Sequence, residues 1–463
     1  MKLKKNEANL KKYTGIDLME TAPAGIAIIR LALPMIAAML AQAIYNMTDM
    51  FFIGQTGDPN MVAAVSLAFP LFMLSQALGN IFATGGSSYI SRMLGAKQVD
   101  EARHTSSVSF YASIGAGLFL AIILFIFRTP ALWLIGASSA TFTHTSDYFW
   151  VINIFMPMAV AGTVLSGQMR SEGATTKAMI AMLTGIVINI VLDPILILSF
   201  NMGTAGAAWA TVAGQAASFV YGLRYFLSKK TLLSVKAADC KPNKSMVFQI
   251  LSIGIPAGLG NIIMSISNIL GNRMAGSYGD FVIAGIGVQM RISSLYFMLV
   301  FALVQGYQPF AGFNYGAKNY GRLRKGFKLT ILYATILCIA GSLILRLFGD
   351  TFIRFFINDG PTIEAGRTMM RTFVWGLPFV GSQITLMVSF QSFGKSVQAM
   401  IITMGRQLLF YIPLLYLLNY LFGFNGFIWA QPAADILTTG IAVILSRPLF
   451  RTMKGNKQGR AVT

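Results

Sequence analysis

Residues 27–51 read AIIRLALPMIAAMLAQAIYNMTDMF. As a helix rising 1.5 Å per residue, this run is long enough for a hydrocarbon core of about 30 Å. It is too long for a signal peptide and contains Pro34 and Asp49, which a signal peptide would not carry. Its polar residues are ordered. Gln42, Asn46 and Asp49 are spaced i, i+4, i+7, so they share one helix face, and Tyr45 lies four residues before Asp49. The run is therefore a membrane span with a carboxylate inside it.

Eleven similar apolar runs follow, at 62–85, 107–127, 146–168, 178–200, 206–226, 248–272, 282–310, 329–348, 371–392, 400–421 and 426–446. Apolar residues make up 55% of the 463-residue chain and charged residues 11%. The usual soluble share of charge is about 25%, so a soluble multidomain protein is excluded, as is disorder. Two cysteines form no disulfide framework. The net charge of +20 would suit nucleic acid, but the Lys and Arg residues lie in short clusters between apolar runs. With both termini cytoplasmic, 28 of the 36 basic residues, Lys395 and Arg406 among them, fall on the inside. The connections at 54–61, 201–205 and 422–425 hold none. This bias predicts an even number of spans in the cytoplasmic membrane. No extramembrane stretch is long enough for a soluble catalytic domain, so an enzyme is not expected.

The two halves match. Pro34 lies 222 residues before Pro256, Asn46 before Asn268 and Asp58 before Asp280. Further on the offset is 221: Gly95-Ala96-Lys97 pairs with Gly316-Ala317-Lys318, Pro157 with Pro378, and Gly173 with Gly394. Near the end it is 220, pairing Gly206 with Gly426 and Trp209 with Trp429. Six spans return the chain to its starting side, so the second six insert with the same orientation. The expected fold is an all-α membrane protein of twelve transmembrane helices in two six-helix lobes, related by a parallel pseudo-twofold repeat. The expected organisation is a cytoplasmic tail at 1–26, an N-lobe at 27–226, a basic linker at 227–247, a C-lobe at 248–446 and a second tail at 447–463. A parallel repeat predicts a central cleft exposed to each side in turn. Pro34, Pro194 and Pro256 are candidate hinges.

Three acids fall well inside spans: Asp49, Asp193 and Asp435. A charge at the bilayer centre costs about 3 kcal/mol on insertion scales, so such residues line water or find partners. Low dielectric disfavours a bare carboxylate, which makes these groups candidates for a proton or cation. Asn189 and Asp193 stand i, i+4 on one face, and Pro194 leaves the Ile190 carbonyl without its helical donor. With water or Thr211, these oxygens could complete a site at which Na⁺ lodges transiently. The alternative is that these groups hydrogen-bond helices together. Asp49 and Asp193 align with Gly271 and Leu414, so the charge is asymmetric on a symmetric scaffold. Asp435 is the second half's own acid, open to a substrate role or a salt bridge. Gln42, Tyr45, Asn46 and Asp435 are candidate cleft residues.

Other signals are weaker. The 26 Met and 35 Phe residues could line a pliable cavity, though ordinary packing explains them as well. Neither His104 nor His144 reads as a ligand. Walker and dinucleotide fingerprints are absent, as is any structural-metal spacing of Cys or His.

The motifs together resemble the multidrug and toxic compound extrusion (MATE) transporters, in their bacterial MepA-like and DinF-like branches. The resemblance spans roughly 20–450. It is carried by Pro34 with YNMTDMFFIG, by SRMLGAK, GATTKAM, NIVLDPILI and GAAWAT, and by the echoes NYGAKNYGR and FGKSVQAM. It implies export of organic cations and other drugs against H⁺ or Na⁺ entry, with no cofactor. It also implies a first-lobe cation site whose acid, Asn–Asp pair and Thr match Asp49, Asn189, Asp193 and Thr211. Some branches instead use acids in spans 7 and 8, but here 253–275 and 282–309 hold no Asp or Glu.

The sequence is thus read as a secondary-active multidrug exporter, a monomer in the bilayer with small-molecule substrates and no nucleic-acid partner. A flippase for a lipid-linked precursor is the first alternative; it would want cationic residues in its cleft, and the spans offer mainly Arg30 and Arg291. A channel or non-transporting scaffold is the second. The orientation is directly testable. Cys240, in the linker, should react with a membrane-impermeant maleimide in inverted vesicles and not in intact cells, with Cys338 buried in the ninth span. Labelling of Cys240 from outside would reverse the topology.

Overall fold

The computed structural model describes residues 15–228, 230–356 and 359–455. Among the described residues, twelve long helical segments follow one another, bent or broken helices counted as one. They are α1 (Ala24–Gly54), α2 (Pro59–Gly95), α3 (Val99–Ile126), α4 (Phe142–Ile154 with Met156–Ser171), α5 (Thr175–Pro194, running into a π turn at Ile195–Ser199) and α6 (Gly203–Leu227). Then come α7 (Lys244–Gly276), α8 (Asp280–Gly316), α9 (Tyr320–Phe356) and α10 (Gly360–Phe373 with Leu377–Ser392). The run from Ser396 to Gly455 holds α11 and α12, divided where Gly423 leaves helical geometry (φ 57°, ψ −137°). Among the described residues there is no strand. The helices outreach the apolar runs: α2 continues to Gly95, and α9 starts at Tyr320.

The repeat is written in the backbone. Both α4 and α10 bend by 54°, and Pro157 and Pro378 stand in the first turn after each bend. Left-handed residues recur in pairs: Gly57 with Gly279, Lys97 with Lys318, and Gly173 with Gly394. Lys97 and Lys318 close the same helix-end turn, their amides donating to Leu94 and Tyr315. Each is a non-glycine residue with φ above 50°, a conformation that costs energy unless the surrounding turn fixes it.

The chain forms two compact units. One comprises residues up to Leu18 and Ala37–Gly258; the other comprises Met19–Ile36 and everything from Leu259. The divisions fall inside α1 and α7, two residues after Pro34 and Pro256, and not in the linker. Small residues make this possible. In the first unit Gly85 of α2 meets α7, where a Cβ would collide with the Ile250 carbonyl; a Cβ on Gly254 would collide with the Ile81 carbonyl. In the second unit Gly306 of α8 lies against Ala32 of α1 in the same way. At the repeat offsets Gly306 corresponds to Gly85 and Ala32 to Gly254. Close backbone approach of this kind is a common basis of helix association in bilayers.

The linker is strapped onto the first unit. Leu233 and Val235 are buried. Ser107 donates to the carbonyls of Ser234 and Lys236, Tyr111 to that of Val235 and Arg103 to that of Leu232. Glu172, at the end of α4, anchors the start of the strap. It accepts from the Tyr225 hydroxyl at 2.6 Å, the Thr231 hydroxyl at 2.9 Å and the Leu232 amide at 3.3 Å. Burial raises its carboxyl above the usual range, against the opposing pull of those donors. Cys240 is half-buried beside this strap, and Cys338 is fully buried in α9.

The glycine contact generates a stability prediction. Gly254→Leu must displace α7 from Ile81, an overpacking that costs about 1–3 kcal/mol. The purified variant should unfold at a lower temperature in detergent; an unchanged midpoint would show that the contact is slack.

Candidate functional site

The site is built where α5 and α6 touch. A Cβ on Gly214 would lie 2.5 Å from the Gly185 carbonyl oxygen and 3.1 Å from the Asn189 Cβ. Glycine at both positions lets the backbones close, and the α5 face one turn further on then meets α6 near Thr211. Asn189, Asp193 and Thr211 are all buried, Asp193 with no accessible surface. Asn189 Nδ2 donates to Asp193 Oδ1 at 3.5 Å. Pro194, which lacks an amide hydrogen, follows at once and leads into the π turn.

α1 and α4 supply the other walls. Asp49 of α1 lies within electrostatic range of Asp193. Tyr45 of α1 and Tyr148 of α4 stand beside Thr211, within range of both carboxylates. Below them, Ile53, Val65, Ile197 and Ala207 form a small apolar core with Tyr148 against it. The structure therefore gathers Asp49, Asn189, Asp193, Thr211 and Tyr45 in one unit. Tyr148 was missed from sequence. Nothing in SDYFW marks it, because its role comes from the packing of α4 against α1 and α6.

Four buried oxygens here have no hydrogen-bond partner: Asp49 Oδ1, Asn189 Oδ1, Asp193 Oδ2 and Thr211 Oγ1. Among the described residues no Lys, Arg or His pairs with either carboxylate. Two carboxylates in low dielectric without a countercharge are costly. An oxygen-only donor set of this kind suits a proton or a hard cation. No cluster of three or more His, Cys, Asp or Glu residues that could hold a metal exists among the described residues.

The remaining candidates lie elsewhere. Gln42 Nε2 donates to Asn46 Oδ1 at 3.1 Å, on the more exposed side of α1. Asp435 belongs to the second unit and is almost fully buried. Its Oδ1 accepts from Arg406 Nε at 2.7 Å and from Gln431 Nε2 at 3.1 Å. Arg406, counted with the cytoplasmic basic residues on sequence grounds, stands in a π turn at Gly405–Tyr411 and is paired with this acid. An apolar run that begins near residue 400 hides an arginine whose charge is cancelled from the next helix.

A helical unit written twice along the chain, with unpaired acids inside its apolar helices, is the plan on which many repeat-built transporters are made. The MatE family model matches residues 34–195 and again 256–417, and the chain belongs to this family of multidrug efflux transporters. It is 31% identical over 428 residues to the multidrug export protein MepA of Staphylococcus aureus (strain MSSA476), covering 92% of this chain and 94% of that protein. It is 30% identical over 421 residues to MepA of Staphylococcus haemolyticus, covering 90% and 92%. A solved structure of an outward-facing multidrug resistance MATE transporter of the MOP superfamily superposes with a TM-score of 0.89 at 25% identity, over 96% of this chain and 99% of that one. The two family matches start 222 residues apart, the offset between Pro34 and Pro256.

The unpaired acids generate a second stability prediction. Asp193→Asn removes a buried charge that faces another of the same sign. In sodium-free detergent at alkaline pH, where the carboxylate is bare, it should stabilise the protein by about 1–3 kcal/mol, seen as a raised unfolding midpoint, with the difference shrinking as the pH falls and a proton neutralises the wild-type group. A fall of that size would mean that the Asp193 carboxylate is already compensated.

Proposed function

We propose that this protein is a cation-coupled exporter of drug-like amphipaths, working by antiport. The observation that carries the reading is the set of four unpartnered buried oxygens around two uncompensated carboxylates in one unit. Asp49 and Asp193 bind the coupling H⁺ or Na⁺, Asn189 and Thr211 complete the donor set, and Tyr45 and Tyr148 wall it. The MepA relatives, named as multidrug export proteins, support the substrate class. In this reading the chain sits as a monomer in the cytoplasmic membrane with both termini inside.

The energetics are modest. A cation on Asp49 and Asp193 removes the cost of bare carboxylates and favours one packing of the first unit over another. A tenfold shift in that equilibrium needs about 1.4 kcal/mol, well within the cost of a buried charge. Gln42, Tyr45 and Asn46 line the path by which a substrate meets the same helix. Pro34 and Pro256 stand next to the points where α1 and α7 change unit, which supports them as hinges. Pro194, at the π turn beside Asp193, is the local hinge of the cation site.

The test is transport of a fluorescent organic cation into inverted vesicles under an imposed pH or Na⁺ gradient. Asp49→Asn and Asp193→Asn should each abolish uphill transport while insertion persists. The double variant should be no worse than the singles if the two acids act as one site. Normal uphill transport by either single variant would remove that residue from the site.

A further inference from the structure

We infer that Arg406 is a substrate-binding residue of the second unit, holding the carboxylate of zwitterionic amphipaths. The inference rests on the export reading above and adds a ligand class to it.

Its basis is an arginine only partly used by the protein. Nε donates to Asp435 Oδ1 at 2.7 Å, and the guanidinium carbon lies 5.2 Å from the centre of the Phe297 ring. A guanidinium carries five N–H donors and keeps its charge in a protein. A buried structural pair commonly uses two of them in a parallel fork. Here a single donor is engaged. The terminal Nη1 and Nη2 groups have no protein acceptor among the described residues, and the side chain remains 22% exposed while Asp435 is 2% exposed. The carboxylate is thus the fixed partner and the arginine the accessible one.

The surroundings hold that arrangement. Gln431 donates to the same Asp435 oxygen at 3.1 Å. Gly376, in the break of α10, backs the carboxylate: a Cβ there would lie 3.2 Å from Asp435 Oδ2 and 3.0 Å from the Pro432 Cα. Arg406 lies in the π turn at Gly405–Tyr411, and such single-turn widenings recur at functional sites. The pair is no legacy of the duplicated scaffold. At the repeat offsets Arg406 corresponds to Gly185 and Asp435 to Gln215, neither of them charged.

The chemistry then selects a ligand. Asp435 cancels the net charge, so the cationic part of a substrate meets no repulsion. The free Nη donors offer the planar geometry that a carboxylate accepts. Phe297, half-buried beside them, adds an apolar face. A purely cationic substrate gains nothing from those donors; a zwitterion does.

The probe is a matched pair: a xanthene dye with a free carboxylate and its ethyl ester. Export of each from reconstituted vesicles gives a ratio of kcat/KM, which loss of folded protein does not change. Arg406→Gln should lower the carboxylate-to-ester ratio about tenfold or more, the worth of a charge-assisted hydrogen bond. Arg406→Gln with Asp435→Asn should lower it similarly, and that double variant leaves no unpaired buried charge if the single fails to insert. Asp435→Asn alone should not lower it. An unchanged ratio in both arginine variants, or an equal fall in Asp435→Asn, would overturn the inference. If the wild-type protein exports neither dye under either gradient, the export reading itself fails.

Discussion

The structure turns on two carboxylates placed in low dielectric with no basic residue to neutralise them. Asp193 has no accessible surface and Asp49 Oδ1 is buried, yet neither is in an ion pair among the described residues. Everything nearby tolerates that cost. Gly185 and Gly214 bring α5 onto α6, and the small core under Tyr148 fixes α1 and α4 beside them. The second unit makes the opposite choice: its one deep acid, Asp435, is met by Arg406 at 2.7 Å. Among the described residues, one unit holds two acids without a basic partner and the other an acid already paired.

The scaffold on which this asymmetry sits is a near-copy of itself. Paired bends in α4 and α10, paired left-handed turns and paired glycine contacts at Gly85 and Gly306 all repeat. Each leading helix nonetheless gives its first half to the other unit. The linker is fastened to the first unit through Glu172, Ser107 and Tyr111, and the unit boundaries fall two residues after Pro34 and Pro256.

Much of this was legible in the sequence. Apolar run length gives the spans, because a bilayer demands it. The drifting offset gives the repeat, and Gly95-Ala96-Lys97 against Gly316-Ala317-Lys318 marks turns that share one backbone geometry. Helical spacing alone places Asn189 and Asp193 on one face. What stayed hidden depends on packing between distant segments. Tyr148 joins the site only because α4 lies against α6. Arg406 reads as one more solvated basic residue near a helix start, and its pairing with Asp435 appears only when α12 packs against it. The strap looks like an ordinary basic linker, since its anchor Glu172 is far away in sequence and its bonds are mostly to backbone. The half-helix exchange leaves no local trace except small residues, which apolar spans contain in any case.

If the first unit holds the coupling cation, as proposed, and a substrate reaches the same helix, then drug and cation should exclude one another there. The most direct measurement is cation release from purified protein on adding a saturating organic cation, followed as proton release in weak buffer or as loss of bound radioactive Na⁺. The account predicts release from the wild-type protein, and none from a chain with both Asp49→Asn and Asp193→Asn that still binds the drug. Equal release from that double variant, or drug binding to the wild-type protein with no release of either ion, would contradict it.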